Sequence, residues 1–219
     1  MTKRYYDQFC AAACALDVIG ERWALLIVRE LLPGAKRFVD LEAGLPGIGT
    51  NTLATRLNEL EAAGVIERRQ LPAPAASAVY ALTDWGRDLG PIVLAMARWG
   101  VRRLVTSIPR HPLRASWLAT ALQAFFRRDA VRDVTAVVEL VLPTGTLNLR
   151  LRRGNLAVAE GPVEDADLRI TTTEHAIFDL LRGRSRQSGR RRHNLRIEGN
   201  DSLVERLVEA FPLGSESVQ

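Results

Sequence analysis

Apolar residues recur at helical spacing through the first hundred positions and then give way to alternation. Asp17 to Leu32 (DVIGERWALLIVRELL) carries apolar positions along most of one side and predicts a helix that the Pro33-Gly34 pair ends. Arg37 to Leu45 (RFVDLEAGL) predicts a second, short helix closed by Pro46-Gly47. The next stretch, GIGTNTLATRLNELEAAGVIERR from Gly47, places Leu53, Leu57 and Leu60 on one face of a third helix. Gly49 or Thr50 stands at its N-cap, and Gly64 lies just past its end. Val65 to Leu71 and Ala78 to Leu82 read as two strands around the sequence PAPAAS. Thr83 opens a longer helix, TDWGRDLGPIVLAMARWGVRRL, in which Pro91 belongs in an early turn or marks a kink. Three helices, a hairpin and a further helix are the order of a winged helix.

Beyond about residue 108 the pattern changes. Pro109 and Pro112 bracket a linker, and Ala115 to Arg128 predicts an amphipathic helix. VTAVVELVLP, GTLNLRLRRGNLAVAEG and ADLRITTT then alternate in the manner of antiparallel strands separated by Gly turns. EHAIFDLLRG and DSLVERLVEAF predict helices flanking a last strand around LRIEGN. The expected fold is multidomain. An N-terminal winged helix-turn-helix, mainly α with a β-hairpin wing, spans residues 1–108, and an α+β domain with helices on a sheet spans 109–219.

The third helix raises the functional question. Asn51, Thr55 and Asn58 line the face opposite its leucines, polar but almost uncharged, whereas an ordinary solvated face carries Lys and Glu. Short amides and hydroxyls suit hydrogen bonding to another molecule. The chain has 219 residues with 30 Lys and Arg against 25 Asp and Glu, a net charge of +5, which suits a polyanionic partner. Seven Arg residues crowd the segment Arg182 to Arg196, which reads either as a solvated loop or as a supplementary phosphate or anion contact.

No apolar run spans a bilayer and the start MTKRYYDQF lacks a secretory h-region, so a cytoplasmic location and no membrane partner are expected. Cys10 and Cys14, four apart in an Ala-rich segment, read as small buried hydrophobes, with oxidant sensing as the alternative. With His111, His175 and His193 scattered, neither metal-ligand spacing nor a cofactor motif appears, and no G-x-S-x-G, H-E-x-x-H or phosphate loop points to an enzyme.

The segments LDVIGERWALLIVREL, KRFVDLEAGLPGIGTNTLATRLNELEAAGVIERR and YALTDWGRDL, in this order, resemble the HxlR-type winged helix-turn-helix regulators of bacteria over roughly residues 8 to 105. The resemblance implies a homodimer on a pseudo-palindromic double-stranded DNA operator, more specifically a repressor, with the helix after Gly49 as recognition helix. Departures are Ala11, where the family often has proline after its cysteine, Gly49 in place of a common serine, and a wing sequence without basic residues. Thiol sensing is therefore not implied, and a weak wing contact is expected.

A helix in the major groove presents Asn51 to adenine and Thr52 or Thr55 to a thymine methyl or a phosphate. Thr50 shares the N-cap role, Asn58 reaches the groove edge, and Arg56 holds either a phosphate or an internal carboxylate. Lys36 and Arg37 are candidate phosphate contacts, and Arg68 and Arg69 precede the wing. Trp23, Leu26, Phe38, Leu41, Leu53, Leu57 and Leu60 are assigned to core, with stacking as the alternative for the tryptophan. Leu89, Val93, Met96 and Trp99, with residues 8 to 16, are the expected dimer seam.

ADLRITTTEHAIFDLLRG followed by LRIEGNDSLVERLVEAF resembles the sterol carrier protein (type two) fold over roughly residues 113 to 213. That resemblance implies an apolar tunnel and hence a domain for a small apolar or lipid-like effector. Trp117, Phe125, Phe126, Phe178 and Phe211 are its candidate lining, or simply core. A cytosolic lipid carrier whose winged helix serves protein contact is the alternative function.

Overall fold

The structure, a computed structural model, describes residues 5–72, 77–104, 113–181 and 195–211. The chain forms two compact units that divide between Val93 and Leu94. The first contains α1 (Ala11–Ile19), α2 (Ala24–Leu31), α3 (Phe38–Gly44), α4 (Thr50–Ala62), β1 (Ile66–Gln70), β2 (Ala78–Leu82), α5 (Asp84–Arg87) and the start of α6 (Gly90–Leu104).

Two predicted helices are each two in fact. Asp17 to Leu32 breaks into α1 and α2, because Gly20 caps α1 with its N–H on the Leu16 carbonyl and the chain turns before Ala24. The turn lets Ile19 from one helix and Ala24, Ile27, Val28 and Leu31 from the other enter a single core. The segment from Thr83 likewise divides. Thr83 caps α5, its hydroxyl accepting from the Gly86 N–H and lying 2.7 Å from the Gly64 carbonyl, to which it donates. Pro91 then falls in the first turn of α6, where its missing N–H costs no helical bond.

β1 and β2 pair antiparallel from Ile66 opposite Leu82 to Gln70 opposite Ala78. The wing residues 73–76 lie outside the described residues, as do Pro109, Pro112 and 182–194 of the Arg-rich segment. Leu53, Leu57 and Leu60 of α4 are buried with Leu41, Leu45 and Ile66, while Trp23, Leu26 and Phe38 are half-buried against the same cluster. Burying three leucines holds α4 against its unit by several kcal/mol, at about 2 kcal/mol each.

Cys10 and Cys14 are exposed rather than buried, because α1 turns Ala13, Val18 and Ile19 inward instead. Leu89 is half-buried and Val93 buried, so both belong to the core and not to an outer seam. Met96 at 47% and Trp99 at 78% are exposed, as are Phe9 and Leu16.

The second unit contains α7 (Ala115–Ala124), a 3₁₀ turn (Arg128–Val131), β3 (Thr135–Leu142), β4 (Gly145–Arg152), β5 (Asn155–Glu160), β6 (Leu168–Thr171), α8 (Glu174–Leu181), β7 (Arg196–Gly199) and α9 (Ser202–Ala210). Its sheet has the order β5-β4-β3-β6-β7. Alternation sorts the faces. Ala136, Val138, Leu140 and Leu142 of β3 and Leu147, Leu149 and Leu151 of β4 meet Leu118 and Leu122 of α7, Ile177 of α8 and Leu203 and Leu207 of α9 in one core.

The sheet is mixed rather than antiparallel throughout, since β6 runs parallel to β3, with Val138 opposite Leu168. The connection from Gly161 to Asp167 makes this possible by crossing back over the outer face. Val163 N–H donates to Glu139 Oε1 at 2.9 Å, and Asp167 N–H to the Val137 carbonyl at 2.8 Å. Gly199, at a φ of 103°, closes the β6–β7 pair; a Cβ there would stand 2.3 Å from the Asp167 carbonyl oxygen.

Candidate nucleic-acid interface

α4 begins at Thr50 after Gly49, an N-cap without a side-chain acceptor, and ends with Gly64 at a φ of 75°. Leu53 N–H, the first helical donor, bonds the Gly49 carbonyl, so the N–H groups of residues 50–52 have no helical acceptor and remain available to an anion. The Thr50 hydroxyl donates to Glu42 Oε1 at 2.6 Å and fixes α4 to α3. With the leucines inward, Asn51, Thr52, Thr55 and Asn58 are all exposed. Thr55 donates to the Asn51 backbone carbonyl at 2.9 Å, and the Asn58 Oδ1 accepts from Arg68 Nη2 at 2.7 Å. The side chains of Asn51 and Thr52 make no hydrogen bond to any described residue, which leaves them available to base edges.

The candidate cations are placed differently from one another. Lys36 is 8% exposed, and its Nζ lies 3.0 Å from Oε2 of Glu30, itself fully buried. Arg29 Nη2 holds the other oxygen of that carboxylate at 2.7 Å, and a Cβ on Gly44 would fall 2.5 Å from Oε2. Lys36 also exchanges both backbone hydrogen bonds with Tyr80, at 3.0 and 2.8 Å. It is thus a structural lysine that joins α2 to the hairpin, and it leaves the set of phosphate contacts. The signal in the sequence was Glu30, a carboxylate inside ALLIVREL where the helix turns toward the core.

Arg37 stays exposed. It forms a fork on Asp40, Nε to Oδ2 at 2.8 Å and Nη2 to Oδ1 at 3.2 Å, which holds the Asp40 carboxyl below the usual range and raises the guanidinium. Such an exposed pair adds little to stability, being screened by solvent, and yields readily to a phosphate. Arg56 takes the internal alternative, bonded to Glu59 and lying 2.8 Å from Glu21. Arg68 bridges Glu61 at 3.1 Å and Asn58 while its guanidinium lies 5.2 Å from the Tyr80 ring centroid, and Arg69 pairs with Glu67. Arg68 therefore positions Asn58, a coupling between helix and wing that spacing alone does not disclose.

In the second unit, Phe211 is buried and packs tilted on Phe126 with ring centroids 5.5 Å apart. Phe125 and Phe126 are half-buried against the core and Trp117 is half-buried, whereas the Phe178 side chain lies outside the described residues. A cavity of about 10 Å³, room for one water, is lined by Leu122, Leu140, Leu149, Ile170, Ile177, Val204, Leu207 and Phe211. Of the four aromatic candidates whose side chains are described, Phe211 alone borders it, beside seven aliphatic residues.

Comparison with known proteins finds two family matches along the chain. Residues 18–107 match the HxlR-like helix-turn-helix family and residues 119–212 the SCP-2 sterol transfer family. The chain is 41% identical over 85 residues to the HTH-type transcriptional regulator YvaP of Bacillus subtilis, covering 39% of this chain and 79% of that protein. It is 36% identical over 85 residues to the HTH-type transcriptional regulator YodB of the same organism, covering 39% and 76%. The solved structure of reduced YodB from B. subtilis aligns at 34% identity and a TM-score of 0.38, over 42% of this chain and 92% of that one. No helix among the described residues is long and apolar enough to cross a membrane. With α2–α4 and the β1–β2 hairpin arranged as a winged helix, and relatives matched over most of their own length, the chain belongs to the HxlR-like helix-turn-helix family, here joined to an SCP-2 domain.

Proposed function

We propose that this transcriptional regulator is a repressor that binds a pseudo-palindromic operator as a homodimer, with α4 read into the major groove and half-sites about one helical turn apart. The observation that carries the reading is the outer face of α4, where Asn51 and Thr52 stand exposed without a partner among the described residues on a helix anchored by three buried leucines. Arg37 and the N–H groups at the start of α4 are placed to take phosphates. Exposed Phe9, Leu16, Met96 and Trp99 support pairing with a second copy.

In this reading residues 1–108 bind DNA and dimerise, while 109–219 receive a small apolar effector. The SCP-2 match and the wholly apolar lining of the cavity support that role. At about 10 Å³ the cavity admits a ligand only if a helix that lines it, α7, α8 or α9, parts from the sheet. A tenfold change in operator affinity then requires about 1.4 kcal/mol of preference between the two states. The test is a mobility shift on the DNA upstream of the protein's own coding sequence at rising salt. A steep fall in affinity is expected, and the absence of salt-dependent binding refutes the proposal.

A further inference from the structure

The positive charge of this chain does not reside in its helix-turn-helix half. Residues 1–93 carry 10 Lys and Arg against 11 Asp and Glu, whereas residues 94–219 carry 20 Arg against 14 Asp and Glu, and no Lys. In the first unit the described cations are also largely neutralised in place. Arg29, Lys36, Arg37, Arg56, Arg68, Arg69 and Arg87 each pair with a carboxylate of that unit. Six of the second unit's arginines lie in residues 182–192, outside the described residues.

Two others share one face of the sheet, and a third adjoins them in the next turn. Arg150 and Arg152 occupy the β4 positions opposite in phase to Leu149 and Leu151, so they lie on the sheet face away from the core, about 7 Å apart. Arg153 follows at a φ of 49° in the β4–β5 turn. All three are exposed and make no ion pair with a described residue. Their register neighbours Thr135, Val137, Asn155 and Ala157 are uncharged. Glu139 on the same face pairs with Arg169 and Asp167 Oδ2 accepts the Val137 N–H at 2.7 Å, while Asp133 pairs with Arg206 and Asp129 with Arg132.

We infer that this arginine face of β4 is a second, sequence-independent contact for the phosphates of duplex DNA, a role that rests on the DNA-binding reading above. Unpaired guanidiniums at strand spacing match a row of phosphate oxygens, each able to accept a forked pair of hydrogen bonds. A lipid surface fits less well, because no large apolar side chain is exposed among the described side chains of residues 113–177 and 195–211 to enter it. The face thus provides the attraction that the neutral wing sequence and the self-paired cations of the first unit do not.

The test uses the full chain and a long random-sequence duplex, with binding measured between 50 and 200 mM salt. The variant R150A/R152A/R153N removes three charges, asparagine tolerating the left-handed backbone at 153. Its log–log salt slope is expected to be shallower by about 2.7, so that affinity changes about 40-fold less across that range, while R150K/R152K/R153K keeps the original slope. An unchanged thermal midpoint shows that the variant is folded. If the wild type shows a steep slope and the neutral variant the same slope, the arginine face is refuted and the helix-turn-helix reading stands. If the wild type shows no salt-dependent binding, both fail. A variant that keeps its DNA slope but loses binding to phosphatidylglycerol vesicles assigns the face to lipid and overturns the inference.

Discussion

Replacing Lys36 by methionine separates two roles that a basic residue at the start of a helix-turn-helix can have. In the structure the ammonium lies 3.0 Å from Glu30 Oε2, and neither group is solvated, at 8% and 0% exposure. Removing one partner of a buried pair costs roughly 3–5 kcal/mol, mostly the penalty on the charge left behind. Here Arg29 remains 2.7 Å from the other oxygen and shares that charge, so the lower end, about 3 kcal/mol, is expected. With a urea dependence of about 1–3 kcal/mol per molar, the unfolding midpoint of the first unit should fall by roughly 1–3 M. The salt slope of DNA binding, measured where the variant is still folded, should be unchanged because no phosphate contact has been lost. The double variant Lys36→Met/Glu30→Gln should not restore the stability, because it also takes the carboxylate from Arg29, whose side chain is only 18% exposed. A K36M protein with wild-type stability and a slope lower by about 0.9 would show that the lysine holds a phosphate and that the buried cluster is misassigned.

Asn51→Ala should relax base preference at one position of each half-site, costing about 1–3 kcal/mol on cognate DNA and little on random DNA; equal losses on both would make it a backbone contact. Trp99→Ala should weaken self-association in sedimentation experiments without lowering the thermal midpoint at high dilution, as befits a 78% exposed side chain. Burial pushes the Glu139 carboxyl up, but the Val163 N–H and Arg169 outweigh it and leave it below its ordinary value. Its stabilisation is therefore complete above the unfolded carboxylate pKa, about 4.3, and is lost as pH falls through the lower native value. Glu139→Gln should destabilise the second unit at pH 7 by about 1–3 kcal/mol and flatten its acid transition, and an unaltered acid limb in denaturation curves would refute that assignment.

Hydrophobic spacing by itself determined the element order of both halves, because Leu53, Leu57 and Leu60, or Val138, Leu140 and Leu142, state their period locally. It also marked the outer face of α4, where uncharged polar residues are visible as such. What spacing does not encode is where a helix must turn to share a core, hence the α1–α2 break at Gly20, or which strand lies beside which. The parallel β3–β6 pair depends on the 161–167 crossing and on Glu139 receiving the Val163 N–H from 24 residues away. The same limit applied to charge. Lys36, Arg56 and Arg68 look alike in a sequence and differ only in the carboxylates that the fold brings to them, Glu30, Glu21 and Glu61. Period is a property of neighbours along the chain, whereas burial and ion pairing arise between segments far apart in it, and only the tertiary structure decided which cations remain for a phosphate.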